Sequence, residues 1–296
     1  MTSNPIPYDP IGTPKSSKVE YNGANFEVTE WTHQGDYKGK VIYVHGFCEE
    51  ATLYTEYFDL LSQAGYDIFF FDQRGSGKTS PGKAFGVTDS VHAFDDLDFF
   101  IKRNADASPG EKFVLMGHSM GGGIVLNYGV MGKYKEHIKA IVACAPMVFL
   151  HPKTNPNIIL RTFQPVINKI APGVKIDSKL VVEYVTNNEK WRRYIRNSNA
   201  LFIGTVRLFN DMFDRGKNLT DPAFVKKFDP SIALLVLHGD TDYINALEGS
   251  KKFYSLLPDT VVKKKFIEVK DARHSLFLEN DATLKKLLQD ILEFLS

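Results

Sequence analysis

The chain has 296 residues, of which 43% are apolar, 12% aromatic and 24% charged, a composition that suits one large α/β domain or two small ones. Lys and Arg number 36 and Asp and Glu 35, so no basic excess exists to neutralise a phosphate backbone, which argues against a nucleic-acid partner. Two cysteines, Cys48 and Cys144, are too few for a disulfide framework, and nothing points to an oxidising compartment.

Residues 1–18 are rich in Pro, Ser and Thr without an apolar core, and predict a disordered or surface-draped leader rather than a signal peptide. After the Asn22-Gly23 turn, residues 26–31 read as the second arm of a hairpin. Buried strands follow at 41–44, 68–71, 113–116 and 138–143, then late at 232–237 and 264–269. Helical stretches lie between them, at 53–64 with a stop at Gly65, at 89–101 and at 124–130, with two more at 246–257 and 283–295. This alternation predicts a mostly parallel sheet flanked by helices. The longest uncharged apolar stretch, 140–152, is shorter than the roughly 20 residues of a membrane span. The expectation is a soluble, cytoplasmic protein.

Between 147 and 230 the rhythm breaks, because a parallel crossover ordinarily needs one helix of about a dozen residues. Apolar groups of helical character recur there, at 158–160, 166–167, 191–195 and 206–213. The predicted organisation is therefore a core over 19–146 and 231–296, with a helical cap inserted at 147–230.

Gly117-His118-Ser119-Met120-Gly121 carries the chemistry. A Gly-x-Ser-x-Gly run means something only where a strand turns sharply into a helix, and the flanking segments here provide both. Gly117 and Gly121 remove bulk from the turn, which leaves Ser119 at a helix N-terminus where backbone N–H groups face an oxyanion. A serine hydroxyl needs a base, oriented in turn by a carboxylate, in the chain order Ser, acid, His. Only His274 follows the last strand. His45, His118 and His238 flank strand ends and read as structural hydrogen-bonders, whereas His33 and His137 read as solvated. Asp240 and Asp242 both satisfy chain order for the acid, and the Gly-x-x-Asp spacing from Gly239 favours Asp242. The oxyanion donors are expected to be the N–H groups of Met120 and of Phe47, in the loop after the 41–44 strand.

Gly75-Ser76-Gly77-Lys78-Thr79 suggests a phosphate loop, but Asp72 stands where the Walker pattern needs Gly and Ser80 where a dinucleotide fingerprint needs it. No Cys/His cluster has zinc spacing. No cofactor, metal or obligatory protein partner is expected.

Taken together, His45-Gly46-Phe47, Phe71-Asp72-Gln73-Arg74-Gly75-Ser76-Gly77, Gly117-His118-Ser119-Met120-Gly121-Gly122-Gly123 and Ala272-Arg273-His274-Ser275 resemble the monoacylglycerol lipases, their fungal branch above all. Phe94-Asp95-Asp96-Leu97 and Leu150-His151-Pro152 match as well. The resemblance covers nearly everything after Val19, and it implies an α/β-hydrolase fold with Ser119, Asp242 and His274 as the triad and Phe47 and Met120 as oxyanion donors. Two positions depart from the family, Cys48 and Asp271, where it usually carries Gly; Asp271 brings an extra carboxylate near the base.

The resemblance also implies that the cap forms an apolar tunnel for one acyl chain with a small polar end for glycerol. Candidate tunnel residues are Phe149, Leu150, Ile158, Ile159, Phe163, Leu201, Phe202 and Phe209, and Glu49 is the candidate for the glycerol end. The expected activity is hydrolysis of monoacylglycerol, with a related carboxylesterase, lysophospholipase or fatty acyl ethyl ester hydrolase as the near alternative. A non-catalytic lipid receptor is the distant one. A substrate that partitions into lipid must be collected there, so peripheral contact through the cap is expected, with lipid droplets or endoplasmic-reticulum and outer-membrane surfaces.

Overall fold

The computed structural model describes residues 4–154, 167–198 and 202–296. Eight strands form one sheet: β1 (Lys15–Tyr21), β2 (Ala24–Trp31), β3 (Gly39–Val44), β4 (Tyr66–Phe71), β5 (Phe113–His118), β6 (Ile138–Cys144), β9 (Ala233–Gly239) and β10 (Lys264–Val269). Their spatial order is β1-β2-β4-β3-β5-β6-β9-β10. The opening hairpin adds antiparallel strands at one edge, and every pair from β4 to β10 is parallel.

Parallel strands covered on both faces read as near-continuous apolar runs. In β3, Ile42 and Val44 face one core layer while Val41 and Tyr43 face the other, and β4 splits Phe69 and Phe71 from Ile68 and Phe70 in the same way. The first layer is closed by α2 (Ser90–Ala107), α3 (Met120–Met131) and α6 (Leu247–Leu256). The second is closed by α1 (Thr55–Gln63) and α7 (Asp281–Leu295). Two of the recognisable motifs meet here, because Arg74 donates to both Asp96 carboxylate oxygens at 2.9 and 3.0 Å and so fixes the loop after β4 onto α2. Gln73 in that loop donates through its main chain to His45 Nε2 at 2.8 Å and through its side chain to His45 O at 2.7 Å.

Between β6 and β9 lie α4 (Glu189–Asn197) and α5 (Val206–Asn218), matching the apolar groups at 191–195 and 206–213. The stretch also holds a feature that its helical reading missed: β7 (Lys175–Asp177) pairs antiparallel with β8 (Ile203–Thr205). Three-residue strands of this kind leave no periodicity in a sequence. The groups at 158–160 and residue 166 lie outside the described residues.

The leader also differs from expectation. Strand β1 starts at Lys15, inside the stretch read as a disordered or surface-draped leader. The residues before it are pinned, because Asp59 on α1 is fully buried and, besides Gln63 on its own helix, accepts hydrogen bonds from them. Tyr8 O–H donates to it at 2.7 Å, Ile11 N–H at 3.0 Å and Gly12 N–H at 2.7 Å, while Asn4 reaches Tyr194 O on α4 at 2.9 Å. A segment without an apolar core is thus ordered by serving a buried carboxylate. Asp59→Ala is expected to lower stability by about 2 kcal/mol and to expose the segment before Lys15 to limited proteolysis, as read by urea unfolding and by the first cleavage site.

Candidate active site

Strand β5 ends at His118 and helix α3 begins at Met120, so the whole reversal falls on Ser119. Its backbone sits at φ 54°, ψ −118°, a region that costs a non-glycine residue about 1–3 kcal/mol. The neighbours hold it there. Ser119 N–H donates to Cys144 O at 3.0 Å, and its carbonyl accepts from Gly123 N–H at 3.0 Å and Met147 N–H at 2.8 Å. Glycine is required on either side: a Cβ at Gly121 would lie 2.0 Å from Val44 O, and one at Gly117 would lie 2.5 Å from Gly121 O. Met120, as the first residue of α3, carries one of the N–H groups that a helix leaves without an internal acceptor.

His274 and Asp242 come from the loops after β10 and β9, which neighbour one another in the sheet. Asp242 Oδ2 accepts from His274 Nδ1 at 2.8 Å, and both side chains are buried. The other oxygen accepts the N–H groups of Ile244 and Asn245 at 2.8 and 3.0 Å. His238 Nε2 lies 3.1 Å from Oδ2, so the carboxylate serves two imidazoles. Burial pushes its pKa up, but His274 and the hydrogen bond from His238 outweigh burial and hold it well below the usual carboxylate range. The alternative acid, Asp240, makes no such contact among the described residues, and its Oδ1 is buried without a partner.

The remaining histidines near the strand ends are hydrogen-bonded inside the fold. Burial lowers the pKa of His45, whose Nε2 accepts from Gln73 N–H and whose Nδ1 donates to Gly46 O at 2.7 Å. His238 Nδ1 lies 2.8 Å from Ser250 Oγ. His118 contacts Glu49, Nδ1 to Oε1 at 2.8 Å. His33 was read as solvated, but it is half-buried with Nδ1 2.8 Å from Asp67 Oδ1.

A cavity of about 690 Å³ opens above Ser119 and His274. Phe47, Cys48 and Glu49 bound it on the side of β3, and Leu150, Phe202 and Phe209 bound it from the stretch between β6 and β9. Phe149 is not in its wall; the side chain is 38% exposed and its ring rests beside Gly249. Ile159, like Ile158, Phe163 and Leu201, lies outside the described residues. Glu49 reaches the cavity, yet its carboxylate is engaged by His118, by the Tyr54 hydroxyl and by Gly46 N–H. Met147, Val185, Ile195 and Leu278 also line the wall and went unnoticed in the sequence, where nothing separates them from ordinary core residues.

A family model described as serine aminopeptidase, S33, matches residues 35–281. A monoglyceride lipase of Saccharomyces cerevisiae is 34% identical over 303 residues, covering 98% of this chain and 96% of its own. This chain belongs to the monoacylglycerol lipase family. A monoacylglycerol lipase of Mycolicibacterium smegmatis is 29% identical and covers 79% of each chain. The crystal structure of a soluble variant of the yeast monoglyceride lipase, in complex with a substrate analog, superposes with a TM-score of 0.90 over 98% of this chain and 99% of that one.

Both departures from the monoacylglycerol lipase pattern occupy left-handed backbone, where glycine is the unstrained choice: Cys48 at φ 58° and Asp271 at φ 54°. Cys48 is half-buried at the cavity wall, with Sγ 3.7 Å from Ile203 O on β8, and burial pushes its pKa up. Asp271 is exposed, and its carbonyl accepts from Asn187 at 2.8 Å. Among the described residues the His274 ring pairs with Asp242 and forms no ion pair with Asp271.

The elbow generates a direct test. Gly121→Ala pushes a methyl group into Val44 O and displaces either Ser119 or the Phe47 loop. Misplacement on the order of 1 Å lowers rates about 100-fold, so fluorophosphonate labelling of Ser119 should slow by that factor while the fold persists by circular dichroism.

Proposed function

We propose that the chain hydrolyses monoacylglycerols to free fatty acid and glycerol through an acyl-enzyme on Ser119. The observation that carries this reading is the cavity. Its volume of about 690 Å³ falls within the ~300–1,000 Å³ of small-ligand sites. Its lining is mostly apolar and also includes Ser119, His274 and Glu49. Residues 147–230 then act as a cap that encloses one acyl chain and leaves the ester carbonyl at Ser119.

In this mechanism His274 Nε2 takes the Ser119 proton as Oγ attacks the ester carbonyl, and the N–H groups of Phe47 and Met120 receive the oxyanion. Asp242 holds the imidazole by its Nδ1 proton and offsets the charge that forms. His274 returns its proton to the glycerol oxygen as the C–O bond breaks. Water, deprotonated by the same nitrogen, then attacks the acyl-enzyme, and His274 protonates Ser119 Oγ as the fatty acid leaves.

Fatty-acid release from monooleoylglycerol, dioleoylglycerol and lysophosphatidylcholine tests this directly. Wild type is expected to prefer the monoacylglycerol, and Ser119→Ala to abolish release from it. Faster release from lysophosphatidylcholine would keep the triad and replace the substrate.

A second part of the reading concerns where substrate is collected. Ile170, Val174, Ile176 and Val181 are 77%, 53%, 45% and 41% exposed, and Lys175 and Lys179 alternate with them. Apolar side chains interleaved with lysines suit a lipid–water interface. Ile176 also lines the cavity, so the same surface leads inward. By this reading the protein works as a peripheral protein on lipid droplets or membranes. It should float with phosphatidylcholine vesicles containing phosphatidylserine, and Ile170→Ser with Val174→Ser should cut the floated fraction several-fold without changing turnover of a soluble short-chain ester. Wild type left wholly in the soluble fraction would rule out the membrane contact.

A further inference from the structure

His118 precedes the nucleophile, and its side chain points away from the substrate into the body of the fold. It is fully buried, yet both ring nitrogens face acceptors. Nδ1 lies 2.8 and 3.1 Å from the two Glu49 carboxylate oxygens, and Nε2 lies 3.2 Å from the carbonyl oxygen of His274. The His274 carbonyl can only accept, so Nε2 donates to it. The Glu49 carboxylate, which also accepts from Gly46 N–H and the Tyr54 hydroxyl and is kept ionised by its neighbours, accepts from Nδ1. An imidazole that donates twice is an imidazolium.

We propose that His118 is a positioning residue charged at neutral pH, whose imidazolium ties the main chain of His274 to the Glu49 carboxylate and so keeps the base in register with the oxyanion loop. The inference rests on the acyl-transfer reading of the site. Glu49 completes the tie at its other end: the same carboxylate accepts from Gly46 N–H, one residue before the Phe47 amide, and from the Tyr54 hydroxyl. Three segments that meet only around Ser119 are thereby linked in series: the loop after β3, the end of β5 and the loop after β10.

The electrostatics agree with the geometry. Burial works against a charge on His118, but Glu49 beside it, the His274 carbonyl and the charge of Asp242 raise its pKa above the ordinary value. Burial likewise pushes Glu49 up, and the His118 charge with its hydrogen bond, helped by Tyr54 and His45, brings it down to about 2. The groups facing His118 are therefore Glu49 and Tyr54 on one side and His274 and Asp242 on the other. The His274 ring lies 4.8 Å away and the Phe277 ring edge-on at 5.9 Å.

The sign of the pH dependence follows. A raised histidine pKa means that the tie is complete below it and is lost as pH rises through it. Removing the Glu49 carboxylate leaves burial dominant, so His118 sheds its proton at lower pH. With a soluble short-chain ester, Glu49→Gln should move the alkaline limb of kcat down by ~1 pH unit or more with KM little changed. His118→Gln should lower kcat about 10- to 100-fold and remove that limb. A uniform drop in kcat with the shape of the profile unchanged would reduce the pair to a structural contact and overturn the proposal.

The wild-type protein supplies a readout that needs neither variant folding nor turnover. Nitrogen-15 NMR of the His118 ring should show both nitrogens protonated at neutral pH, above the ordinary histidine value. An unprotonated ring nitrogen at neutral pH would refute the charged tie even if the enzyme hydrolyses its ester. Absent turnover on every ester would instead refute the acyl-transfer reading, and with it the catalytic use of the tie, whatever the NMR result for the charge.

Discussion

Ser119 occupies a left-handed backbone conformation that no ordinary serine adopts unaided, and the rest of the site is arranged around that one residue. Its carbonyl and N–H are claimed by Gly123, Met147 and Cys144, so the strain is held by hydrogen bonds on both sides of the turn. Backbone must pass directly over backbone, which is why glycine stands at Gly117 and Gly121 and why β3 can approach from the other side. Because β3, β5, β6 and β9 run parallel, their C-terminal ends lie on one side of the sheet, the side on which the reversal at Ser119 falls.

Buried charge is handled in two opposite ways within a few ångströms of that turn. Asp242 is an anion shared by two imidazoles and two main-chain N–H groups, and one of those imidazoles, His274, also lines the cavity. Glu49 and His118 form a complete ion pair, with both ring nitrogens of His118 committed. His45 is a third case, an uncharged ring whose nitrogens are divided between Gly46 and Gln73. These histidines, all near strand ends, differ through what each ring nitrogen meets.

The walls of the cavity are less economical. They are drawn from the loop after β3, from α4, α5 and β7, and from the turn after His274. Asp59 and the segment before Lys15 extend this outward, since Asn4 reaches α4 while Tyr8, Ile11 and Gly12 are held on α1. The stretch between β6 and β9 is thereby tied to the core by residues that contribute nothing to the cavity itself.

Local rules were enough to read the order of strands and helices from the hairpin to α3, because apolar periodicity and glycine stops are properties of neighbouring residues. They were also enough to place Ser119 at a strand–turn–helix and His274 in the loop after the last strand, since both are short patterns. The choice between Asp240 and Asp242 was different: spacing favoured one, but only the contact with His274 separates an engaged carboxylate from one with an unpartnered oxygen. The short β7–β8 pair, the pinned leader and the absence of Phe149 from the cavity wall were likewise decided in three dimensions. So was the pairing of Glu49 with His118, 69 residues apart in the chain. Each depends on which distant groups share a buried space, where an unpaired charge is costly and a methyl group too many has no room, and no window of sequence contains that information.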